Sequence, residues 1–218
     1  MKENNEKCEL RILLPENLVE WYKKNPVKNK IFAQYSYNDT FYLPKENKNI
    51  IKKFLDPSKN SLRIRKFKNK KEVELILSCC EVICSKKNNN VLFKKEVWSH
   101  THEKYPLAKD VSENFAQEIV CNLGFKKWFE IIKKKGRAIR FTFSKNDFLD
   151  LYCEEIFVPE YDLKFNSAEI ELFAPNMEEL ELKIKDVKEK IKLINLSEDH
   201  LLKGSLPQYV VELAKKTI

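Results

Sequence analysis

The stretch 61–67, "SLRIRKF", sets a short apolar strand against two arginines. Side chains of an extended chain alternate between faces, so Leu62 and Ile64 point one way and Arg63 and Arg65 point together the other way. Guanidiniums side by side repel unless an anion lies between them, and phosphate matches the planar arginine fork through paired hydrogen bonds. The reverse sign occurs at 167–173, "SAEIELF", where Glu169 and Glu171 share one face and Ala168, Ile170 and Leu172 the other. A divalent cation relieves the acidic pair, phosphate relieves the basic pair, and a metal-bound polyphosphate relieves both. The first strand divides in the same manner, with Cys8, Leu10, Ile12 and Leu14 opposite Lys7, Glu9 and Arg11. Strands that are oily on one face and charged on the other fit a closed or strongly curved antiparallel sheet, with a polar lumen and an apolar outside covered by helices.

The chain has 218 residues, 43% of them hydrophobic and 34% charged without a long block of one sign, which suits one folded domain spanning 1–218. The net charge of +8 draws anionic partners and says nothing about fold. No window reaches the apolar length of a membrane span, and "MKENNEKCEL" lacks the apolar segment of a secretory signal, so a cytoplasmic protein without membrane contact is expected. The six cysteines fall mostly in apolar stretches, as buried reduced thiols do. "CCEVIC" has no second cysteine pair at metal spacing and reads as a core strand; His100 and His102 in "SHTH" lack a third ligand.

Further strands are expected at 33–43, 72–84, 91–99, 126–134, 137–143 and 149–157, and short helical segments after Pro15 and near Ile50–Leu55. Asp110 with Glu113 predicts a capped helix ending at Gly124, and Asn176 with Glu179 opens a second one carrying Leu180, Ile184, Val187 and Ile191 at helical spacing.

The succession "KCELR", "DTFY", "LRIR", "LGF", "KKKGR", "EIE", a long helix and "LPQYVVEL" resembles the CYTH superfamily, or triphosphate tunnel metalloenzymes, over nearly the whole chain. "LRIR" and "EIE" are the closest motif matches. The family includes thiamine triphosphatases, inorganic tripolyphosphatases and class IV adenylate cyclases, with fungal-type RNA triphosphatases more distantly related. The resemblance implies an α+β fold, an eight-stranded antiparallel β-barrel forming a tunnel with a charged lumen, and helices packed outside. It implies Mg2+ or Mn2+ as cofactor, with Glu9, Glu154, Glu169 and Glu171 as metal ligands and Glu9 and Glu171 also catalytic. Arg11, Arg63, Arg65, Lys95, Lys134 and Arg137 are its implied phosphate-binding residues. The family's Glu-x-Glu-x-Lys signature reads Lys7, Glu9, Arg11 here; its lysine after "LRIR" falls at "ELIL", and "PQY" stands for "KSY", with Lys203 nearby.

The expected activity is metal-dependent hydrolysis of a triphosphate: inorganic tripolyphosphate, a nucleoside triphosphate or thiamine triphosphate. The alternatives are a class IV-like cyclase and a non-catalytic protein that holds polyphosphate or an RNA 5′-triphosphate end. A homodimer is compatible with the family. A plainer alternative is a β-rich domain whose charged faces see only water.

Overall fold

The computed structural model describes residues 6–57, 60–84, 92–96, 105–202 and 204–217, with backbone alone at 6–7, 79–84, 92–96, 105–106, 134 and 216–217. Nine strands are present among these residues: β1 (Glu6–Leu14), β2 (Lys28–Pro44), β3 (Asn60–Phe67), β4 (Val73–Cys84), β5 (Leu92–Glu96), β6 (Tyr105–Val111), β7 (Phe125–Ser144), β8 (Asp147–Val158) and β9 (Leu163–Ala174). The helices are α1 (Leu18–Lys23), α2 (Lys48–Phe54), α3 (Glu113–Asn122), α4 (Met177–Leu193) and α5 (Leu206–Thr217). All pairings are antiparallel, in the order β3-β2-β7-β8-β9-β1-β5-β4-β6, and β3 pairs with β4 as well.

Eight strands were expected; the ninth is β6, which runs along β4 from Val73↔Val111 to Leu77↔Tyr105. Its presence moves the start of α3, since Asp110 belongs to β6 and Ser112 is the cap, its hydroxyl accepting from the Phe115 amide at 3.2 Å. The helix ends where glycine was expected, at Gly124 with φ 77, a left-handed conformation that glycine adopts without strain. The two strands expected at 126–134 and 137–143 are one, β7, interrupted by a bulge between Lys134 and Arg137. α1 begins at Leu18, capped by Asn17 rather than led by Pro15, because the Asn17 side chain accepts from the Glu20 amide. Asn176 caps α4 as its sequence predicts.

Alternation divides each strand between two environments. Leu10, Ile12, Leu151, Cys153 and Ile170 pack beneath Leu180, Ile184, Val187 and Ile191 of α4, each of these buried helix side chains contributing at most about 1.5–3 kcal/mol. Leu62, Ile64, Val73 and Leu75 pack beneath Ala116 and Val120 of α3. The opposite faces of β1, β2, β3, β7, β8 and β9 meet one another: Asp39 of β2 binds Arg65 of β3, and Glu154 of β8 binds both Arg11 of β1 and Lys133 of β7. Side chains of strands far apart in the order touch only if that face is concave.

Toward one end the concave face is apolar. Phe41, Phe129, Ile131, Ile156 and Val158 form a cluster with Leu206, Val210 and Val211 of α5. Phe41 stacks on Phe129 at 5.0 Å, and Tyr209 of α5 meets Phe165 edge-on at 5.4 Å. The C-terminal helix covers this end of the face. Among the described residues no helix is long and apolar enough to cross a membrane.

Candidate active site

Beyond the apolar end, the same face is densely charged. Asp39 lies directly across from Arg65 in the β2–β3 register and takes its guanidinium in a two-pronged pair, Nε to Oδ1 and Nη2 to Oδ2, both at 2.7 Å. The Arg65 guanidinium also lies 4.2 Å over the Tyr37 ring. Burial alone would raise the Asp39 carboxyl, but Arg65 outweighs it and holds the group well below the ordinary carboxylate range.

Arg63, two residues away, is only 6% exposed and poorly matched. Among the described residues its Nε has no hydrogen-bond partner, Nη1 reaches Ser61 Oγ at 3.5 Å, and the nearest Asp39 oxygen, 3.8 Å from Nε, already serves Arg65. Burial pulls the Arg63 pKa down despite the pull of Asp39. A buried charge without a full partner is costly, which makes Arg63, among the described residues, the cation on this face most in need of an anion.

Arg11 is the opposite case. It is 5% exposed, and each of its three donor groups faces a different carboxylate: Nε to Glu9 at 3.1 Å, Nη1 to Glu154 at 3.0 Å, and Nη2 to Glu169. Glu154, 1% exposed, also accepts from Lys133 Nζ at 2.8 Å and from the hydroxyls of Tyr35 at 3.3 Å and Tyr37 at 3.5 Å. Burial opposes the charge on Glu154, yet Lys133 and Arg11 keep its carboxyl below the usual range; burial and the Glu154 charge push the Tyr35 phenol up. Gly136, opposite Tyr35 in the β2–β7 register, makes room for that ring, since a Cβ there would clash with it.

Of the residues the sequence singled out, Glu9, Arg11, Arg63, Arg65, Glu154 and Glu169 come together on the concave face. Glu171 lies on the same face of β9, across from Glu9. Arg137 does not join them. The β7 bulge turns it toward Glu155, 3.4 Å away, and Glu155 is one residue from Glu154 and so on the opposite face of β8. The side chains of Lys7, Lys95 and Lys134 lie outside the described residues, as do His100, His102 and Lys203. Sequence reasoning missed Asp39, Lys133, Tyr35 and Tyr37. Their signal was the alternation Tyr35, Tyr37, Asp39 along β2 beside the arginine strand.

Carboxylate oxygens are the donors that Mg2+ and Mn2+ take. Here Glu9, Glu154 and Glu169 are committed to Arg11, and Glu154 also to Lys133. Among the described residues no three acidic, histidine or cysteine side chains stand together as a metal-holding group. As placed, the carboxylates form a guanidinium cradle and not a metal cage.

Solved structures with the same overall shape span the chain almost end to end. The PH1819 protein of Pyrococcus horikoshii OT3 superposes with a TM-score of 0.57 at 13% identity, covering 95% of this chain and 99% of its own. A candidate adenylate cyclase from Vibrio parahaemolyticus gives a TM-score of 0.53 at 12% identity, over 94% of this chain and 97% of that one. What they share with this chain is an α+β fold built on an antiparallel sheet. HpAC1 from Hippeastrum, a candidate adenylyl cyclase with a dominant triphosphatase activity, gives 0.52 at 13% identity, over 97% of this chain and 96% of that one. At these identities the likeness carries the fold alone. No protein-family model matches the sequence, and no curated protein matches it.

Proposed function

We propose that the concave face binds the triphosphate group of a small molecule and that the chain hydrolyses a phosphoanhydride of that group. The observation that carries this reading is Arg63, a buried guanidinium with an unpartnered Nε beside a second arginine whose charge is already matched. A phosphate oxygen at Arg63 supplies the missing acceptor, and Arg65, held rigid by Asp39 and Tyr37, presents its remaining edge to the next oxygen. The strands that carry these groups form, in this reading, an eight-stranded tunnel: the ring β3-β2-β7-β8-β9-β1-β5-β4 returns to β3 through the β3–β4 pairing, with β6 outside it. α5 fills one end, so a charged ligand enters from the end where Phe148 and Asp150 lie.

Catalysis here rests on charge placement. Arg63 and Arg65 take up charge building on the phosphoryl oxygens, and Lys133 and Arg11 hold the Glu154 carboxylate ionised beside it. Three of the four carboxylates expected to hold Mg2+ or Mn2+, namely Glu9, Glu154 and Glu169, are taken by Arg11 and Lys133, so this reading rests on the cations of the face and not on a metal. That same occupation favours a second reading, a protein that binds triphosphate without turning it over.

Phosphate release from tripolyphosphate, ATP and thiamine triphosphate, followed with and without Mg2+ or Mn2+ beside calorimetric binding, separates the two. Release abolished by Arg63→Ala with Arg65→Ala supports the hydrolase. Binding without release leaves the binding protein, cyclic nucleotide from ATP would assign a cyclase, and no binding of any of them by the parent chain would end both leading readings.

A further inference from the structure

The concave face of β8 continues outward from Glu154 through Tyr152 and Asp150 to Phe148, all on one side of the strand by alternation. Asp150 grips Arg140 of β7 with two hydrogen bonds, Nε at 2.7 Å and Nη2 at 2.6 Å. The guanidinium so fixed lies 4.0 Å over the Phe148 ring and 5.4 Å from the centre of the Phe32 ring. Both rings remain nearly half exposed, Phe32 at 47% and Phe148 at 48%. Aromatic rings this open at a strand end are a surface that water wets poorly, and here they flank a cationic plane held still by a carboxylate.

We infer that Phe32, Arg140 and Phe148 form a stacking platform for the planar nitrogen heterocycle of a triphosphate ester, so that the ligand is a nucleoside triphosphate or an analogue of it and not bare polyphosphate. This rests on the triphosphate reading given above. At the strand rise, Asp150 stands about 13 Å and Phe148 about 20 Å along the face from Glu154, a separation on the scale of an extended triphosphate and its sugar. The rings offer π-faces that accept any base, and the Arg140 plane adds a cation–π surface. Asp150 fixes Arg140 through Nε and Nη2, which leaves Nη1 to donate to a ring nitrogen or carbonyl. Substrate charge and substrate ring are thus read by separate groups, the first deep in the face and the second at its rim.

The test is calorimetric titration of the full chain with tripolyphosphate, ATP and thiamine triphosphate, comparing the parent with Phe32→Ser, Phe148→Ser and the double variant. Both positions are open to solvent, so the variants are expected to keep the parent's melting temperature. The platform predicts that ATP, thiamine triphosphate or both weaken by about 5- to 150-fold, the span one ring stack supplies, while tripolyphosphate affinity stays constant. Phe148→Tyr, which keeps a stacking ring, should retain parent affinity for the weakened ester. An unchanged affinity for both esters, or an equal loss for tripolyphosphate, overturns the platform while leaving the triphosphate site standing. Failure of the parent to bind any of the three removes that site and the platform with it.

Discussion

Two halves of one concave surface answer their buried surroundings in different ways. Where α5 lies against it, Phe41, Phe129, Ile156 and Val158 meet Leu206, Val210 and Val211, and each element supplies what the other lacks. Further along the strands, the same face holds Arg11, Arg63, Lys133, Asp39 and Glu154, all buried, with Arg65 partly buried beside them. The first half is complete within the chain. The second is nearly so: Asp39 answers Arg65, and Glu9, Glu154 and Glu169 answer Arg11, but Arg63 is left with an unpartnered Nε. Among the described residues, the buried charges are matched except at Arg63, and the proposed triphosphate would supply the balancing charge there.

Substitutions can break this contrast. The largest effect is expected for Arg11→Ala, which strands three carboxylates around an empty guanidinium position; loss of one partner from a buried ionic network typically costs about 3–5 kcal/mol, read as a lower urea midpoint. In the apolar half, Leu206→Ala should cost about 2–5 kcal/mol through the cavity it leaves and should leave tripolyphosphate affinity unaltered. The two neighbouring arginines should then separate. Arg65→Ala abandons the buried Asp39 carboxylate and destabilises the apo protein, whereas Arg63→Met removes a poorly matched charge and leaves stability equal or higher. Equal destabilisation by the two, measured by thermal melting, would erase the distinction drawn between them.

The smallest expected effect is on the pH dependence of folding. The carboxyls of Asp39 and Glu154 are held below their ordinary range, so the folded state binds their protons less readily than the unfolded chain does. Their stabilisation is therefore fully present above the unfolded values of about 4 and is lost as pH falls from about 5 toward the lower folded values. Glu154→Gln should flatten this acid limb of the stability curve, and urea midpoints taken between neutral and acid pH report it.

Much of this contrast could be read from period-two alternation alone. "SLRIRKF" and "SAEIELF" announce charged faces backed by apolar ones, and both faces lie where the alternation puts them. Alternation fails where a bulge breaks it. The irregularity between Lys134 and Arg137 turns Arg137 to the outer face and leaves Lys133 inside, and nothing local in "KKKGR" marks which basic residue keeps the inward phase. β6 escaped notice because Asp110, a good capping residue by type, is a strand residue, and tertiary pairing with β4 decided between the two. The three-carboxylate cradle of Arg11 was hidden for another reason: it is assembled from β1, β8 and β9, whose proximity is a property of the sheet order and not of any segment.

The most direct test of the central claim is calorimetric titration of tripolyphosphate into the parent chain and Arg63→Met, with the melting temperature of each recorded without ligand. Saturable binding by the parent, weakened about tenfold or more in a variant that melts no lower, is the predicted result, in line with the loss of a charge-assisted hydrogen-bond partner. Equal affinity of the two proteins, or no binding by the parent, would contradict it.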